Sequence, residues 1–211
     1  MERSATGSGR SVGRKRDPRI ETLALVAAIE VYALDGWHGF TFEAVARVSG
    51  VGKPAIYRRW QTREALLITA FSRTNIPTAR DLGSLEADVR DYTNQWVRWY
   101  VTPFLAQAAN RLLVDCVSNT ELDRLYREEI FDPLGKAARQ VTNRASARGE
   151  IPPGTPATIL PDLILGGMLM HWMFAPYRDD RDAEQLFRAD SDRLAEVILA
   201  GLRARPRTTS A

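Results

Sequence analysis

The stretch Thr41-Phe-Glu-Ala-Val-Ala-Arg-Val-Ser-Gly-Val-Gly-Lys-Pro-Ala-Ile-Tyr-Arg-Arg-Trp-Gln-Thr-Arg-Glu-Ala-Leu-Leu67 decides the fold of this chain. It predicts two short helices joined by a tight turn. Phe42 and Val45 begin an apolar face at helical spacing. Thr41 stands before them as an N-cap, because its hydroxyl can accept a free backbone N–H. Gly50 lies where the turn requires a positive φ.

The second predicted helix is short and strongly basic. It begins at about Gly52 or Lys53, and Pro54 suits its first turn, where a missing N–H costs nothing. Ile56 and Trp60 are one helical turn apart and are expected to anchor this helix to the core. The remaining side chains of the helix are left to face outward or sideways.

This layout is typical of a helix-turn-helix DNA reader, whose second helix reaches base edges while its flanks meet phosphate. Arg and Lys side chains can pair with guanine O6 and N7. The alternative is a pair of solvated helices with an ordinary charged face. The residues predicted to lie at DNA are Thr41, Gly52, Lys53, Pro54, Ala55, Tyr57, Arg58, Arg59 and Arg63.

Positive charge is concentrated in the part of the chain that holds this motif. Residues 1–80 contain 13 Lys and Arg against 7 Asp and Glu, whereas residues 81–211 contain 16 against 19. A DNA-binding surface needs such a basic excess. The basic N-terminus lacks a signal-peptide core, no apolar run has the length of a membrane span, and the single Cys116 excludes an internal disulfide framework. A cytoplasmic protein is therefore expected.

The pattern predicts an all-α chain of about nine helices in two parts. A three-helix head over residues 17–62 precedes a helical body over residues 63–205, with a tail at 206–211. Residues 1–16 are rich in Ser, Gly and Arg and are expected to be a disordered basic arm. Such an arm can follow the phosphate backbone or enter the minor groove. A solubilising tail, or a start codon placed too far upstream, remains equally open.

Several helix boundaries of the body and head follow from periodicity and from glycine and proline. The first helix is expected to end at Leu34 before Gly36. A long seventh helix over residues 121–148 should kink or split at Pro133. The eighth and ninth helices are expected over residues 156–174 and 183–203.

The body is dense in aromatic and sulfur-containing side chains. Apolar walls with a few polar groups suit a drug-sized organic ligand, and the candidate polar members are Tyr100, Asn110, Tyr126 and His171. Plain core packing is the alternative. The predicted pocket residues are Trp96, Trp99, Tyr100, Phe104, Tyr126, Met168, His171 and Trp172.

The eighth helix is apolar on nearly all sides, which indicates burial on most faces. A chain of this size has few layers that could bury it, so we expect it to pack with the ninth helix against a second copy. A monomer with a central eighth helix is the alternative. The predicted interface residues are Leu160, Ile164, Met168, Phe187, Leu194 and Ile198.

No sequence pattern singles out a catalytic or metal site. The chain has two His and one Cys, and it lacks HExxH, CxxC, GxSxG and phosphate-loop patterns. The acidic pairs are expected to lie on solvated faces. We therefore predict a protein that is not an enzyme and needs no cofactor or metal.

The opening stretch resembles the signature of the tetracycline-repressor (TetR) family of bacterial transcription regulators. That signature opens with Thr and continues through an Ala, a Gly-Val turn, a Leu/Ile-Tyr pair, an aromatic residue and an acidic-Leu pair. The resemblance covers about residues 20–67. The matching residues here are Thr41, Ala46, Gly50-Val51, Ile56-Tyr57, Trp60 and Arg63-Glu64-Ala65-Leu66.

Two departures limit what the resemblance implies about DNA contacts. The family usually has Gly and then Ser or Thr where this chain has Pro54 and Ala55, so a hydroxyl contact to phosphate is missing here. Arg59 replaces a frequent His or Tyr, and Arg63 replaces Lys, which keeps or adds positive charge. The bases that are read therefore cannot be inferred from relatives.

The resemblance implies a dimeric, ligand-responsive regulator, most often a repressor. Such a protein binds a palindromic double-stranded operator, here through residues 41–60, and a small apolar or aromatic effector releases it. Its partners would be DNA, the effector and a second copy, without a membrane. Two alternatives are a helical small-molecule-binding protein or enzyme with a vestigial DNA-binding head, and a ligand-free architectural DNA protein.

Overall fold

The computed structural model describes residues 18–175 and 182–203, and all regular structure within these ranges is helical. The all-α prediction is therefore confirmed, while the predicted arm and tail lie outside the described residues. The helices are α1 (Pro18–Gly39), α2 (Phe42–Ser49), α3 (Lys53–Tyr57), α4 (Arg63–Ser72), α5 (Leu85–Tyr100), α6 (Leu105–Ser118), α7 (Thr120–Tyr126), α8 (Asp132–Ala147), α9 (Ile159–Phe174) and α10 (Ala183–Arg203).

The head has the predicted helix-turn-helix geometry. The Thr41 hydroxyl accepts the backbone N–H of Ala44 at 3.0 Å, which makes it the N-cap of α2. Gly50 ends α2 with φ 67°, a left-handed conformation that favours glycine. Ile56 and Trp60 are buried as anchors, so the orientation of α3 is fixed from beneath.

The regular part of α1 ends before Gly36, as predicted, and a short second helical segment continues across a kink to Gly39. Gly36 has φ 64° and ψ −170°, a region that is essentially restricted to glycine. Arg111 of α6 lies against this kink and donates to the Leu34 carbonyl at 3.4 Å. A residue from the body thus satisfies a carbonyl at the end of the regular helix.

The predicted seventh helix is divided ahead of Pro133, as the sequence indicated. A π-helical turn, Arg127–Phe131, joins α7 to α8, and the Asp132 N–H donates to the Arg127 carbonyl five residues back. Proline has no N–H, and its ring crowds the carbonyl four residues earlier. The wider π-helical turn therefore accommodates the proline, and the chain stays helical from α7 to α8.

Helix α1 joins the head to the body. It packs against α2 and α4 on one side and against α6 on the other. Tyr32 is completely buried, and its hydroxyl donates to Asp115 of α6 at 2.6 Å. Next to this junction, within the body, the Asn119 amide donates to Glu64 of α4 at 3.5 Å. Polar bonds as well as apolar contacts therefore hold the two parts together.

We expect Tyr32→Phe to lower the free energy of unfolding by about 1–3 kcal/mol, because it leaves the Asp115 carboxylate without its buried donor. Equilibrium unfolding in urea measures this loss. Tyr57→Phe is the matched control, since it removes an exposed hydroxyl and should cost less than about 0.5 kcal/mol. Equal losses in the two variants would contradict a special role for the Tyr32 bond.

Candidate nucleic-acid interface

Helix α3 presents a basic surface to solvent. Lys53, Pro54, Tyr57 and Arg58 are exposed along it, whereas Ile56 is fully buried beneath. The Arg58 guanidinium forms no hydrogen bond or ion pair with any residue in the described part of the chain. The helix thus offers a mobile cation and a rigid backbone to an external partner.

Glu43 of α2 lies in front of this surface and engages two of its side chains. Its Oε1 atom accepts the Tyr57 hydroxyl at 3.2 Å and lies 3.4 Å from the Lys53 ammonium nitrogen. The Tyr57 ring packs edge-on against Phe42, with centroids 4.7 Å apart. An acidic residue that the sequence analysis did not single out therefore holds two predicted DNA-binding side chains in place.

The Glu43 carboxyl is charged at neutral pH. Hydrogen bonding to its own backbone N–H, followed by the bonds from Lys53 and Tyr57, lowers its pKa below the ordinary value. Because all three side chains are largely exposed, the contact restrains orientation more than it stabilises the fold. Its position could not be predicted from helical spacing, since Glu43 and its partners lie on different helices.

Three other predicted DNA-binding residues are engaged within the head. The Thr41 oxygen caps α2. Arg59 donates to the Ala55 carbonyl at 3.1 Å. Arg63 donates to the carbonyls of Trp37 and Phe40 at 3.2 and 2.9 Å, with its guanidinium carbon 4.5 Å from the centroid of the Trp37 ring. Contact of these side chains with DNA stays a prediction.

The remaining two predicted DNA-binding residues shape the backbone at the start of α3. Gly52 is the N-cap residue in an extended conformation, and its carbonyl accepts the Ala55 N–H at 2.9 Å. Ala55 is half-buried. Neither residue offers a side chain with polar chemistry, so their contribution would be close backbone approach.

In the body, four of the predicted pocket residues form one aromatic cluster with Phe187. Trp96, Trp99 and Tyr100 contact each other, with ring centroids 5.5–5.8 Å apart, and Tyr100 lies 6.0 Å from Trp172. We call this set, together with Phe187, the body cluster. Its members are buried, so the side chains fill most of the space between α5, α9 and α10.

The other predicted pocket residues have different surroundings. His171 stacks on Phe187 at 5.8 Å, and Met168 is buried on the same helix, so both border the body cluster. Tyr126 packs on Phe131 of the π-helical turn instead. Phe104 lies just before α6 and faces a groove next to α1. The predicted set is therefore only partly brought together.

Four polar atoms of the body are buried without a hydrogen-bond partner among the described residues. They are the Tyr92 hydroxyl, the Trp96 indole nitrogen, the Asn110 amide oxygen and Nε of Arg144, which has Asp81 as an ion-pair partner at 3.5 Å. Tyr92 and Trp96 are neighbours, with ring centroids 6.1 Å apart. Buried polar groups are nearly always satisfied, so these atoms mark places where a bound molecule could supply the missing partner.

The residues predicted at a dimer interface are mostly buried within the single chain. Five of the six, namely Leu160, Ile164, Met168, Phe187 and Ile198, are buried, and Leu194 is half-buried. Their contact with a second copy stays a prediction. A different set on α9 and α10 is exposed and apolar, and it comprises Leu163, Met170, Met173, Phe174, Leu186 and Val197.

Among residues 18–175 and 182–203, no helix combines the length and apolar character needed to cross a membrane. No group of three or more His, Cys, Asp or Glu side chains among them is arranged to hold a metal ion.

The fold and the basic surface of α3 define a helix-turn-helix DNA-binding protein with a separate helical body. Residues 24–70 match the family described as bacterial regulatory proteins, tetR family. Residues 79–189 match the family described as tetracyclin repressor-like, C-terminal domain. The chain therefore belongs to the TetR family of transcriptional regulators, whose body is a ligand-binding domain.

Relatives of known sequence and structure agree with this assignment. The chain is 29% identical over 157 residues to the HTH-type transcriptional regulator AqdR of Rhodococcus erythropolis, covering 73% of this chain and 74% of that protein. The fatty acid degradation regulator FadR of Bacillus halodurans has a TM-score of 0.70 at 20% identity, covering 91% of this chain and 100% of its own. FadR of Bacillus subtilis, solved with stearoyl-CoA, has a TM-score of 0.65 at 20% identity, with 85% and 98% covered. At such identities the structural likeness establishes the fold alone.

We expect Glu43→Gln to bind a random-sequence duplex about three- to tenfold more tightly at low salt, because a charge that repels phosphate is removed. The amide still accepts the Tyr57 hydroxyl, so only the charge is tested. Fluorescence anisotropy across a salt series measures the effect, and the log–log slope should steepen by up to about one. Glu129→Gln, an exposed change in the body, is the matched control. Weaker binding by Glu43→Gln would mean that the carboxylate favours DNA binding by positioning Lys53 and Tyr57 more than it opposes binding by repelling phosphate.

Proposed function

We propose that this protein is a dimeric repressor that binds a palindromic operator through residues 41–60 and is released by a small apolar or aromatic effector. The proposed DNA binding is supported by the exposed basic surface of α3, a helix that Ile56 and Trp60 anchor to the core. Such a protein works in the cytoplasm on chromosomal DNA and performs no catalysis.

Within this proposal, Lys53, Tyr57 and Arg58 make the principal contacts. The Arg58 guanidinium, which has no partner within residues 18–175 and 182–203, can reach a base edge or phosphate, and a bidentate pair with guanine contributes about 1–3 kcal/mol of discrimination. Lys53 and Tyr57 exchange the Glu43 carboxylate for a DNA phosphate, since both groups are anionic oxygen acceptors. Pro54 stiffens the start of the helix that approaches the groove.

A helix as short as α3 reaches few base pairs, so specificity requires two copies. The exposed apolar side chains of α9 and α10 support pairing through this face, because contiguous apolar surface is costly to leave in water. A two-fold axis there would give two half-sites about one helical turn apart. The operator would then be palindromic.

The proposed effector binding is supported by the body cluster and by the buried polar atoms of Trp96 and the neighbouring Tyr92. An aromatic wall attracts an apolar or aromatic molecule, and the Trp96 indole nitrogen and Tyr92 hydroxyl offer it hydrogen bonds. An effector shifts the protein towards release only by binding the released conformation more tightly. Displacement of the selected duplex by apolar aromatic compounds is the corresponding measurement, and a panel that never displaces it argues against ligand response.

We expect Lys53→Ala combined with Arg58→Ala to abolish selective binding to a duplex enriched from a random pool by the wild-type protein. Affinity should fall by at least about a hundredfold, and the salt slope should decrease by about two, since two cations are lost. Electrophoretic mobility shift at several salt concentrations measures both quantities. Arg90→Ala combined with Lys136→Ala, in the body, controls for charge loss. Unchanged selectivity in the α3 variant would contradict the assignment of this helix as the reader.

We expect Met170→Glu to convert the dimer to monomers and to weaken operator binding, because it places a charge at the centre of the exposed apolar face. Met170 is 51% exposed in the protomer, so the fold should tolerate the change. Sedimentation velocity measures the oligomeric state. Val117→Glu on α6, at a site that is 89% exposed, is the control and should leave the dimer intact. A dimer that survives Met170→Glu would locate the interface elsewhere.

A further inference from the structure

A groove of about 770 Å³ lies between the head and the body, away from the body cluster. One wall is α1, and the other is formed by the end of α4 together with the turn between α5 and α6. Its volume lies within the range of small-molecule sites, about 300–1,000 Å³. The groove therefore has the size of a ligand site, and of the predicted pocket residues Phe104 alone is in its described lining.

The floor of this groove is apolar, and its rim is partly so. Leu25 and Ile29 of α1 are buried at the floor, and Leu105 closes it from α6. Val26 and Phe104 are exposed at the rim, at 63% and 38% respectively. A molecule seated here would cover apolar surface that now faces water, which is the main source of affinity for organic ligands.

The turn that forms the second wall is held in an unusual backbone conformation. Within the described ranges, the non-glycine residues with positive φ are Asn75, at 54°, and Phe104, at 67°, and both line the groove. Such residues are uncommon, and they gather where a site requires a fixed shape. Trp99 reinforces the same wall, because its indole nitrogen donates to the Thr74 hydroxyl at 3.0 Å.

The charges at the groove favour a cation. Glu21 and Glu30 of α1 line it, are half-buried, and form no hydrogen bond or ion pair through their carboxylates within the described part of the chain. Arg73 at the end of α4 is the single basic residue of the lining. Two unpaired carboxylates against one guanidinium leave a net negative rim over an apolar floor.

We propose that this groove binds a drug-sized organic cation with an apolar body. Glu21 and Glu30 are nine residues apart on α1, at opposite ends of the groove, so the positive centre lies against one of these carboxylates while the apolar groups rest on Leu25 and Ile29. Because α1 carries the head while the opposite wall belongs to the body, an occupant bridges the two parts. Binding would then restrain the angle between them, as a second site in addition to the body cluster.

Tetraphenylphosphonium and tetraphenylborate test the proposal directly, because they share one shape and carry opposite charges. Isothermal titration of the full chain should give the phosphonium ion the lower Kd. Glu21→Gln combined with Glu30→Gln should weaken its binding by about tenfold, and Arg73→Met should strengthen it by about threefold. Equal affinity for the two ions, or no response to these charge changes, overturns the proposal.

Location is tested by filling the groove. Val26→Trp places an indole at the exposed rim and should abolish phosphonium binding, whereas Val117→Trp, a change at a more exposed site on α6, should not. Trp96→Phe alters the body cluster and should leave the affinity unchanged. Loss of binding in Trp96→Phe with retention in Val26→Trp would move the cation to the body and overturn the proposal. None of these readouts uses DNA, so a protein that binds the cation but no duplex contradicts the proposed function alone.

Discussion

The hydrogen bond from the buried Tyr32 hydroxyl to Asp115 is the constraint on which the rest of the structure depends. It ties α1 to α6 in the middle of the junction, where α1 is surrounded by α2, α4 and α6. A phenol buried here requires an acceptor, and a carboxylate that is only partly exposed is a strong one. The head therefore cannot move relative to α6 without separating this pair.

The contacts at the α3 surface of the head differ from the buried Tyr32 bond, because they are exposed to solvent and weak. Glu43 holds Lys53 and Tyr57 loosely enough for phosphate to replace it. The head thus combines a rigid base with a surface whose cations are pre-positioned and exchangeable. A rigid base sets which groove is reached, and an exchangeable surface sets how strongly the backbone is held once there.

The head could be predicted from sequence in detail, whereas the surfaces of the body could not. Thr41, Gly50, Ile56 and Trp60 each have a local signal, namely a cap, a turn or a helical spacing. The bounds of α10, Ala183–Arg203, follow equally from periodicity. Helix α9 gives no such signal, because it is apolar on all sides and its sequence does not distinguish the inner face from the outer one. The role of Glu43 could not be predicted for a related reason, since contacts between separate helices have no period along the chain.

The π-helical turn at Arg127–Phe131 limits insertions and deletions in the segment that joins α7 to α8. One additional residue in a turn rotates everything after it by about 100° relative to a continuous α-helix. This rotation lets α7 face α4 and α6 while α8 faces α5 and α9. Loss of a single residue from the turn would leave a good helix whose second half presents the wrong side. We therefore expect this segment of the body to tolerate substitutions better than insertions or deletions.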